Sequence, residues 1–158
     1  MGVHELKEGD AAPAIRAKDD KDGDFDLASL HGKNVVLYFY PKADTTGCTK
    51  ESCEFRDANK KFTKKDTVIV GVSPDKSAAQ SKFKTKFDLP FTLLADQDHK
   101  VAEDYGVWKE KSLYGRKFMG IERTTFVIGR DGVVRKVFPK VKVAGHTAQV
   151  LAALKDLD

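Results

Sequence analysis

Two short apolar runs, at residues 34–40 and 67–73, constrain the fold of this chain more than any other feature. They read Asn-Val-Val-Leu-Tyr-Phe-Tyr and Thr-Val-Ile-Val-Gly-Val-Ser, and both are rich in β-branched or aromatic residues. Such runs are typical of strands that are buried on both faces of a sheet. The segment between them has helical spacing, with Cys48, Phe55 and Phe62 on one face. The order strand, helix, strand predicts an α/β domain.

The remainder of the chain continues this alternation of strands and helices. Residues 73–75 (Ser-Pro-Asp) predict a helix start, because a capping hydroxyl precedes a proline in the first turn. Residues 91–95 predict a short strand, and Asp96 is predicted to cap the short helix that follows.

The C-terminal part of the chain contains a hairpin signal and a last helical pattern. Residues 124–129 and 133–138 resemble strands, and the Arg-Asp-Gly between them is typical of a hairpin turn. Residues 150–154 belong to an amphipathic helix. We therefore predict one three-layer α/β domain over residues 1–158, with a central mixed sheet and flanking helices.

Composition and charge exclude several classes of function. The chain has 28 Lys+Arg and 24 Asp+Glu, a formal charge of +4, and these charges are interspersed. The densest basic run, at residues 60–65, lies where a helix is predicted to end, and cations there complement the helix dipole. We predict no nucleic-acid partner and, because no apolar stretch reaches spanning length, no membrane partner. The N-terminus lacks the apolar core of a secretory signal, so a cytoplasmic location is expected.

The sequence also predicts no metal site. The acidic segment 19–26 fails the spacing of a calcium loop, because Gly23 lies three residues after Asp20 rather than five. It is interpreted as an acidic turn. Two cysteines and four scattered histidines lack the paired spacing of a zinc site. The histidines are all in polar contexts and are predicted to lie at the surface: His4, His31, His99 and His146.

The two cysteines, Cys48 and Cys53, are the main candidates for chemistry. Cys48 falls in the first turn of the predicted helix, where backbone N–H groups stabilise a thiolate. Thr45, three residues earlier, is placed to offer a hydroxyl. Residues five apart in a helix lie about 140° around the axis with Cα atoms about 8.7 Å apart, whereas a disulfide needs less than about 7 Å. A bridge between these thiols therefore requires the helix to unwind, and redox chemistry, nucleophilic catalysis and inert thiols all remain open.

The stretch around Cys48 resembles the peroxiredoxin signature P-x-x-x-[TS]-x-x-C, which Pro41, Thr45 and Cys48 match. The chain is similar to the bacterioferritin-comigratory-protein, or peroxiredoxin Q, subfamily from about residue 5 to its end. The other matching segments are residues 38–42, 47–49 with Glu51, 55–57, 71–75, 89–91 with 93–94, 114–117 and 119–121. One departure is Thr46, where the subfamily often has proline, which leaves the loop before Cys48 less rigid.

This resemblance implies a thioredoxin-like fold and a thiol peroxidase that acts on hydrogen peroxide and organic hydroperoxides. It assigns the peroxidatic role to Cys48 and the resolving role to Cys53. It also implies that the Thr45 hydroxyl contacts both the sulfur and the peroxide, that Pro41 shields the sulfenate, and that Arg123 brings a cation to the site. It further implies reduction by thioredoxin or a similar dithiol protein, a monomeric state, and no cofactor or metal.

Two alternatives compete with this hypothesis. A thioredoxin-like dithiol oxidoreductase predicts C-x-x-C, whereas four residues separate the cysteines here, and Thr45 would then have no role. A chaperone or binding module with redox-idle thiols would use the aromatic segment 108–119 as a partner surface. We interpret that segment instead as core packing and a rim for apolar substrates.

Overall fold

The computed structural model describes residues 6–157, in which strands and helices alternate. In chain order these elements are β1 Arg16–Asp19, β2 Asp24–Asp26, a 3-10 helix Leu27–Leu30, β3 Asn34–Phe39, α1 Thr46–Lys64, β4 Thr67–Ser73, α2 Ser77–Phe87, β5 Thr92–Ala95, α3 Lys100–Asp104, β6 Trp108–Leu113, β7 Arg116–Ile121, β8 Thr124–Ile128, β9 Val134–Phe138 and α4 His146–Lys155. The predicted strands at 34–40 and 67–73 are confirmed to within one residue. All six residues of β3 are buried, as a strand inside a sheet requires.

A seven-stranded sheet in the order β2-β1-β5-β4-β3-β8-β9 forms the centre of the fold. The pairs β3–β4 and β4–β5 are parallel, and α1 and α2 supply the crossovers that parallel strands need. The pairs β1–β2, β1–β5, β3–β8 and β8–β9 are antiparallel. The predicted mixed sheet is therefore confirmed, as is the hairpin of β8 and β9.

Apolar side chains cover both faces of this sheet, which gives the three predicted layers. On one face α1, α2 and α4 contribute Phe55, Phe83, Val150 and other residues to a buried cluster that also contains Cys48. On the other face a second buried cluster includes Tyr105 and residues of α3. Cys48 thus lies between α1 and the sheet.

Two predicted helix starts have different outcomes. The helix start at 73–75 is wrong: Ser73 is the last residue of β4, and α2 begins at Ser77 after Lys76. The Ser73 hydroxyl instead donates to Asp75 Oδ2 at 2.6 Å. The residue that precedes α3 is His99 rather than Asp96, but the Asp96 carboxylate accepts hydrogen bonds from two backbone N–H groups in the first turn of α3, as a capping side chain would.

The aromatic segment 108–119 departs from its predicted place in the core. Its strands β6 and β7 form a separate two-stranded sheet. Four of its large side chains are exposed: Leu113 by 58%, Tyr114 by 97%, Phe118 by 46% and Met119 by 49%. The core-packing interpretation is wrong for these residues, because the tip of the hairpin extends beyond the layers that pack on the main sheet. Trp108 at its base is half-buried and stacks on His99.

The predicted surface position of the histidines is wrong for His146. His31 is exposed, but His146 is only 1% exposed. Its ring lies edge-on to Phe55 and Phe138, and its Nε2 is 2.8 Å from the Thr125 hydroxyl. His146 is the first residue of α4, and its ring lies where α4 packs against Phe55 of α1. The prediction for His4 lies outside the described residues.

No helix in residues 6–157 is both long and apolar enough to cross a membrane. No group of three or more His, Cys, Asp or Glu side chains in that range could hold a metal ion. The acidic segment forms a turn, as predicted, in which Asp19 Oδ1 accepts hydrogen bonds from the N–H groups of Lys21 and Gly23.

Candidate active site

The loop between β3 and α1 is held against the end of β4. Tyr40 continues the strand by donating its N–H to the Val72 carbonyl at 3.0 Å, and Pro41, which has no N–H, follows half-buried. The Ala43 N–H donates to Asp75 Oδ2 at 2.7 Å. Asp75 therefore positions the loop, a role that the sequence did not reveal, because Asp75 lies 32 residues from Ala43.

Cys48 lies in the first turn of α1 and is 1% exposed. The first N–H groups of a helix have no acceptor within it, so they are available to a substrate oxygen. Both cysteines are free thiols, with Cys53 half-buried further along the same helix. The continuous helix keeps the two thiols on different sides of its axis, as the sequence predicts for residues five apart.

Arg123 brings a positive charge to the sulfur. It lies in the short connection between β7 and β8, and its Nη2 is 3.1 Å from Cys48 Sγ. Its Nη1 donates to Glu51 Oε1 at 2.7 Å. Burial acts to lower the pKa of Arg123, but Glu51 and Cys48 outweigh it and raise that pKa, so the guanidinium stays charged. A fixed cation at this distance stabilises a thiolate and polarises a bound peroxide.

Glu51 also belongs to this site. From the sequence it was only one residue of the matching motifs, with no role assigned to it. It lies one turn after Cys48, is 1% exposed, and forms the ion pair with Arg123. Burial raises the pKa of Glu51 to about 7, and Arg123 limits the rise. Among the described residues its Oε2 has no hydrogen-bond partner. The sequence signal for this role was the position of Glu51 three residues after Cys48, because residues three apart on a helix are neighbours on its surface.

Thr45 is the residue that precedes α1, and its side chain is turned away from a capping position. Its hydroxyl donates to the Lys42 carbonyl at 2.9 Å, so a bond to substrate requires it to rotate about χ1 or to act as an acceptor. Its contact with sulfur and peroxide stays a prediction, as does the shielding role of Pro41.

A second cation, Lys111 in β6, lies near the same group of charges. Its side chain is half-buried above Gly120 of the paired strand. Burial lowers the pKa of Lys111, Arg123 lowers it further, and Cys48 acts in the opposite direction. Lys111, in the middle of β6, therefore lies within electrostatic reach of Arg123 and Cys48.

Comparison with known proteins agrees with this geometry. Residues 8–137 match the AhpC/TSA family. Peroxiredoxin Bcp of Bacillus subtilis is 48% identical over 149 residues, which cover 94% of this chain and 95% of that protein. Peroxiredoxin Q of Xanthomonas campestris, a solved structure, has a TM-score of 0.86 at 38% identity and 90% coverage of both chains. Peroxidoxin BcpB of Mycobacterium tuberculosis has a TM-score of 0.87 at 35% identity, over 98% of this chain and 99% of that one.

The fold, the buried Cys48 beside Arg123 and these similarities lead to one conclusion: the chain belongs to the AhpC/TSA family, and within it is a peroxiredoxin, a thiol-dependent peroxidase with a thioredoxin-like fold.

Proposed function

We propose that the chain reduces hydrogen peroxide and organic hydroperoxides with Cys48 as the peroxidatic residue. The contact of 3.1 Å between Arg123 and Cys48 Sγ carries this proposal. The Cys48 thiolate attacks the terminal hydroxyl oxygen of the peroxide, the O–O bond breaks, and the departing alkoxide takes up the proton that the thiol released on ionising, while the hydroxyl proton stays on the sulfenic acid. The products are a Cys48 sulfenic acid and water or an alcohol. Arg123 and the N–H groups at the start of α1 stabilise the charge that develops on the oxygens.

Cys53 is the proposed resolving residue. Its thiol attacks the Cys48 sulfenic acid, which releases water and leaves an intramolecular disulfide, so the two electrons taken by the peroxide come from the two thiols. Unwinding of α1 between Thr46 and Cys53 is required, because the intact helix separates the thiols. A thioredoxin-like dithiol protein then reduces the disulfide by exchange. A monomeric, cytoplasmic single-domain protein without cofactor or metal stays our prediction.

Two observations support organic hydroperoxides as substrates. Lys111, within electrostatic reach of Cys48, belongs to the same hairpin as the exposed Leu113, Phe118 and Met119, and these apolar side chains would cover an alkyl tail. In addition, the bacterioferritin comigratory protein of Xanthomonas campestris, 37% identical with a TM-score of 0.86, is described by its alkyl peroxide reduction activity.

The exposed hairpin also favours a second candidate function, a chaperone or binding activity that is independent of the thiols. In that case a Cys48→Ser/Cys53→Ser variant would suppress aggregation of a client protein as well as the natural chain does. The dithiol-oxidoreductase alternative is less favoured, because Cys48 is buried and Cys53 lies elsewhere on the helix. Reduction of insulin disulfides without consumption of peroxide would support it.

The test is a titration of the reduced protein with hydrogen peroxide, followed by counting of free thiols and by intact mass. We expect one equivalent to remove both thiols and change the mass by about −2 Da, as an internal disulfide requires. Two surviving thiols that react only at the rate of a free cysteine would contradict the proposal and favour the binding module.

A further inference from the structure

A buried hydrogen bond joins the N-terminal half of α1 to β3, an interior strand of the sheet. Ser52 Oγ lies 2.8 Å from the Tyr38 hydroxyl, and both residues are 0% exposed. Each hydroxyl is therefore removed from water. Hydroxyl groups in such a position depend on each other, because a buried polar group without a partner is costly.

The two partners differ in their freedom to move. Tyr38 belongs to β3, where it is paired with Gly71 of β4 and Thr125 of β8. Its ring packs against Tyr40, Phe55 and Phe91 within a buried cluster. Ser52 belongs to the part of α1 that lies between the two cysteines and is the residue next to Cys53. One end of the bond is fixed, and the other lies on the segment that disulfide formation must rearrange.

Helix geometry explains why Ser52 faces the sheet together with Cys48. Residues four apart are separated by about 40° around the axis, whereas Cys48 and Cys53 are separated by about 140°. To bring Cys53 to Cys48, the backbone around residue 52 must turn, and Ser52 then leaves Tyr38. The Tyr38 hydroxyl remains in the core without its partner.

We infer that the Tyr38–Ser52 hydrogen bond holds α1 in its folded arrangement and thereby sets the rate at which Cys53 resolves the Cys48 sulfenic acid. This inference rests on the proposed function, because it concerns the resolving step of that cycle. Tyr38 and Ser52 are positioning residues: they act on the helix that carries both thiols and touch neither the peroxide nor the sulfenate.

The bond also controls a competition for the sulfenic acid. A second peroxide molecule oxidises the sulfenic acid to sulfinic acid, losing its own O–O bond and leaving as water or an alcohol. Disulfide formation removes the sulfenic acid before this reaction occurs. A helix that unwinds slowly therefore favours sulfinic acid, and one that unwinds quickly favours the disulfide.

The experiment compares Tyr38→Phe and Ser52→Ala with the natural chain by quenched flow, with thiol alkylation and intact mass at each time point. We expect disulfide formation to be about tenfold faster in Tyr38→Phe, a change that corresponds to about 1.4 kcal/mol. We expect it to be about threefold faster in Ser52→Ala, although alanine is the better helix former and by itself would slow unwinding. The yield of sulfinic acid at high peroxide falls in both, and the rate of sulfenic acid formation is unchanged.

Tyr105→Phe is the matched control. Its hydroxyl donates to the Pro13 carbonyl at 2.7 Å on the other face of the sheet, so the same atom is removed from a buried tyrosine away from α1. The control lowers global stability without changing the ratio of disulfide to sulfinic acid. The double variant Tyr38→Phe/Ser52→Ala is expected to be less than additive, because both changes remove one bond.

The outcomes separate this inference from the proposed function. If the natural chain forms the disulfide and neither variant forms it faster, the inference is overturned and the proposed function stands. If Tyr105→Phe accelerates resolution as much as Tyr38→Phe, general destabilisation is the cause and the inference is likewise overturned. A natural chain that forms no disulfide contradicts the resolving role of Cys53 and, with it, the inference. Ser52→Ala removes the other hydroxyl of the same bond and leaves the packed Tyr38 ring unchanged, so it provides the test even if Tyr38→Phe does not fold.

Discussion

Arg123 Nη2 and Cys48 Sγ lie 3.1 Å apart although 75 positions separate the two residues. Strand pairing explains the meeting. The last residue of β3, Phe39, pairs with the first residue of β8, Thr124, in antiparallel register. Arg123 precedes Thr124 and therefore arrives where β3 ends and the loop to α1 begins. The charge at the sulfur is therefore a consequence of sheet topology.

Replacement of Cys48 by serine is expected to lower peroxidase turnover by at least about a thousandfold, because a hydroxyl is far less nucleophilic than a thiolate. Steady-state consumption of hydrogen peroxide with a thioredoxin-type reductant measures this. The matched variant Cys53→Ser keeps the nucleophile and should reduce one peroxide per chain, leaving a sulfenic acid. Appreciable turnover in Cys48→Ser would remove the assigned role of Cys48.

Replacement of Arg123 by methionine is expected to slow the reaction with peroxide about 100-fold, the usual effect of removing one charge-stabilising donor. Stopped-flow measurement of sulfenic acid formation gives the rate constant. Because this variant also leaves buried Glu51 without its partner, Arg123→Met/Glu51→Gln separates loss of catalysis from loss of stability. Arg135→Met, at an exposed arginine of β9, is the control and should react normally. A comparable loss in that control would contradict a specific role for Arg123.

Glu51 is expected to make the folded chain less stable as the pH rises from about 5 to 8. Its pKa is about 7 in the folded chain against an ordinary value of 4.5, so between these values the folded chain keeps a proton that the unfolded chain releases. The difference amounts to a loss of about 3 kcal/mol in the free energy of unfolding above pH 7.

Urea denaturation of Glu51→Gln across this pH range tests that dependence, which should be largely absent in the variant. Glu110→Gln, at an exposed carboxylate in β6, should keep the pH profile of the natural chain. A Glu51→Gln profile as steep as that of the natural chain would show that another group titrates.

His146 is expected to destabilise the chain at acid pH. Burial lowers its pKa, and the Arg123 charge lowers it further. Below the ordinary histidine value of about 6.5 the unfolded chain gains a proton that the folded chain resists, so stability falls as the pH falls. His146→Gln should be less stable by about 1–2 kcal/mol at pH 8, yet lose less between pH 7 and 5.

Thermal unfolding at several pH values measures this, with His31→Gln as the control at an exposed histidine. An unchanged acid dependence in His146→Gln, or an equal change in His31→Gln, would contradict the role of His146.

The strands β3 and β4 and the pattern of α1 could be predicted because their signals are local. A near-continuous apolar run of seven residues, or apolar residues at helical spacing, indicates an element without knowledge of the remainder of the chain. Strands β1 and β2 could not be predicted in this way. Their sequences, Arg-Ala-Lys-Asp and Asp-Phe-Asp, are mostly polar, and their extended conformation depends on pairing with each other at the sheet edge. The hairpin tip was wrongly placed for a related reason: aromatic residues predict burial only where another layer covers them.

Local sequence patterns specify the elements that neighbouring residues form, and they place Pro41, Thr45, Cys48 and Cys53 in one motif within a short segment. Tertiary structure alone decided which distant groups meet this motif. Arg123 arrives through strand pairing, the buried carboxylate of Glu51 is held by that same arginine, and Tyr38 meets Ser52 only because α1 packs across β3. Periodicity encodes one face of one element, whereas the distance between atoms on different elements depends on how the whole chain packs.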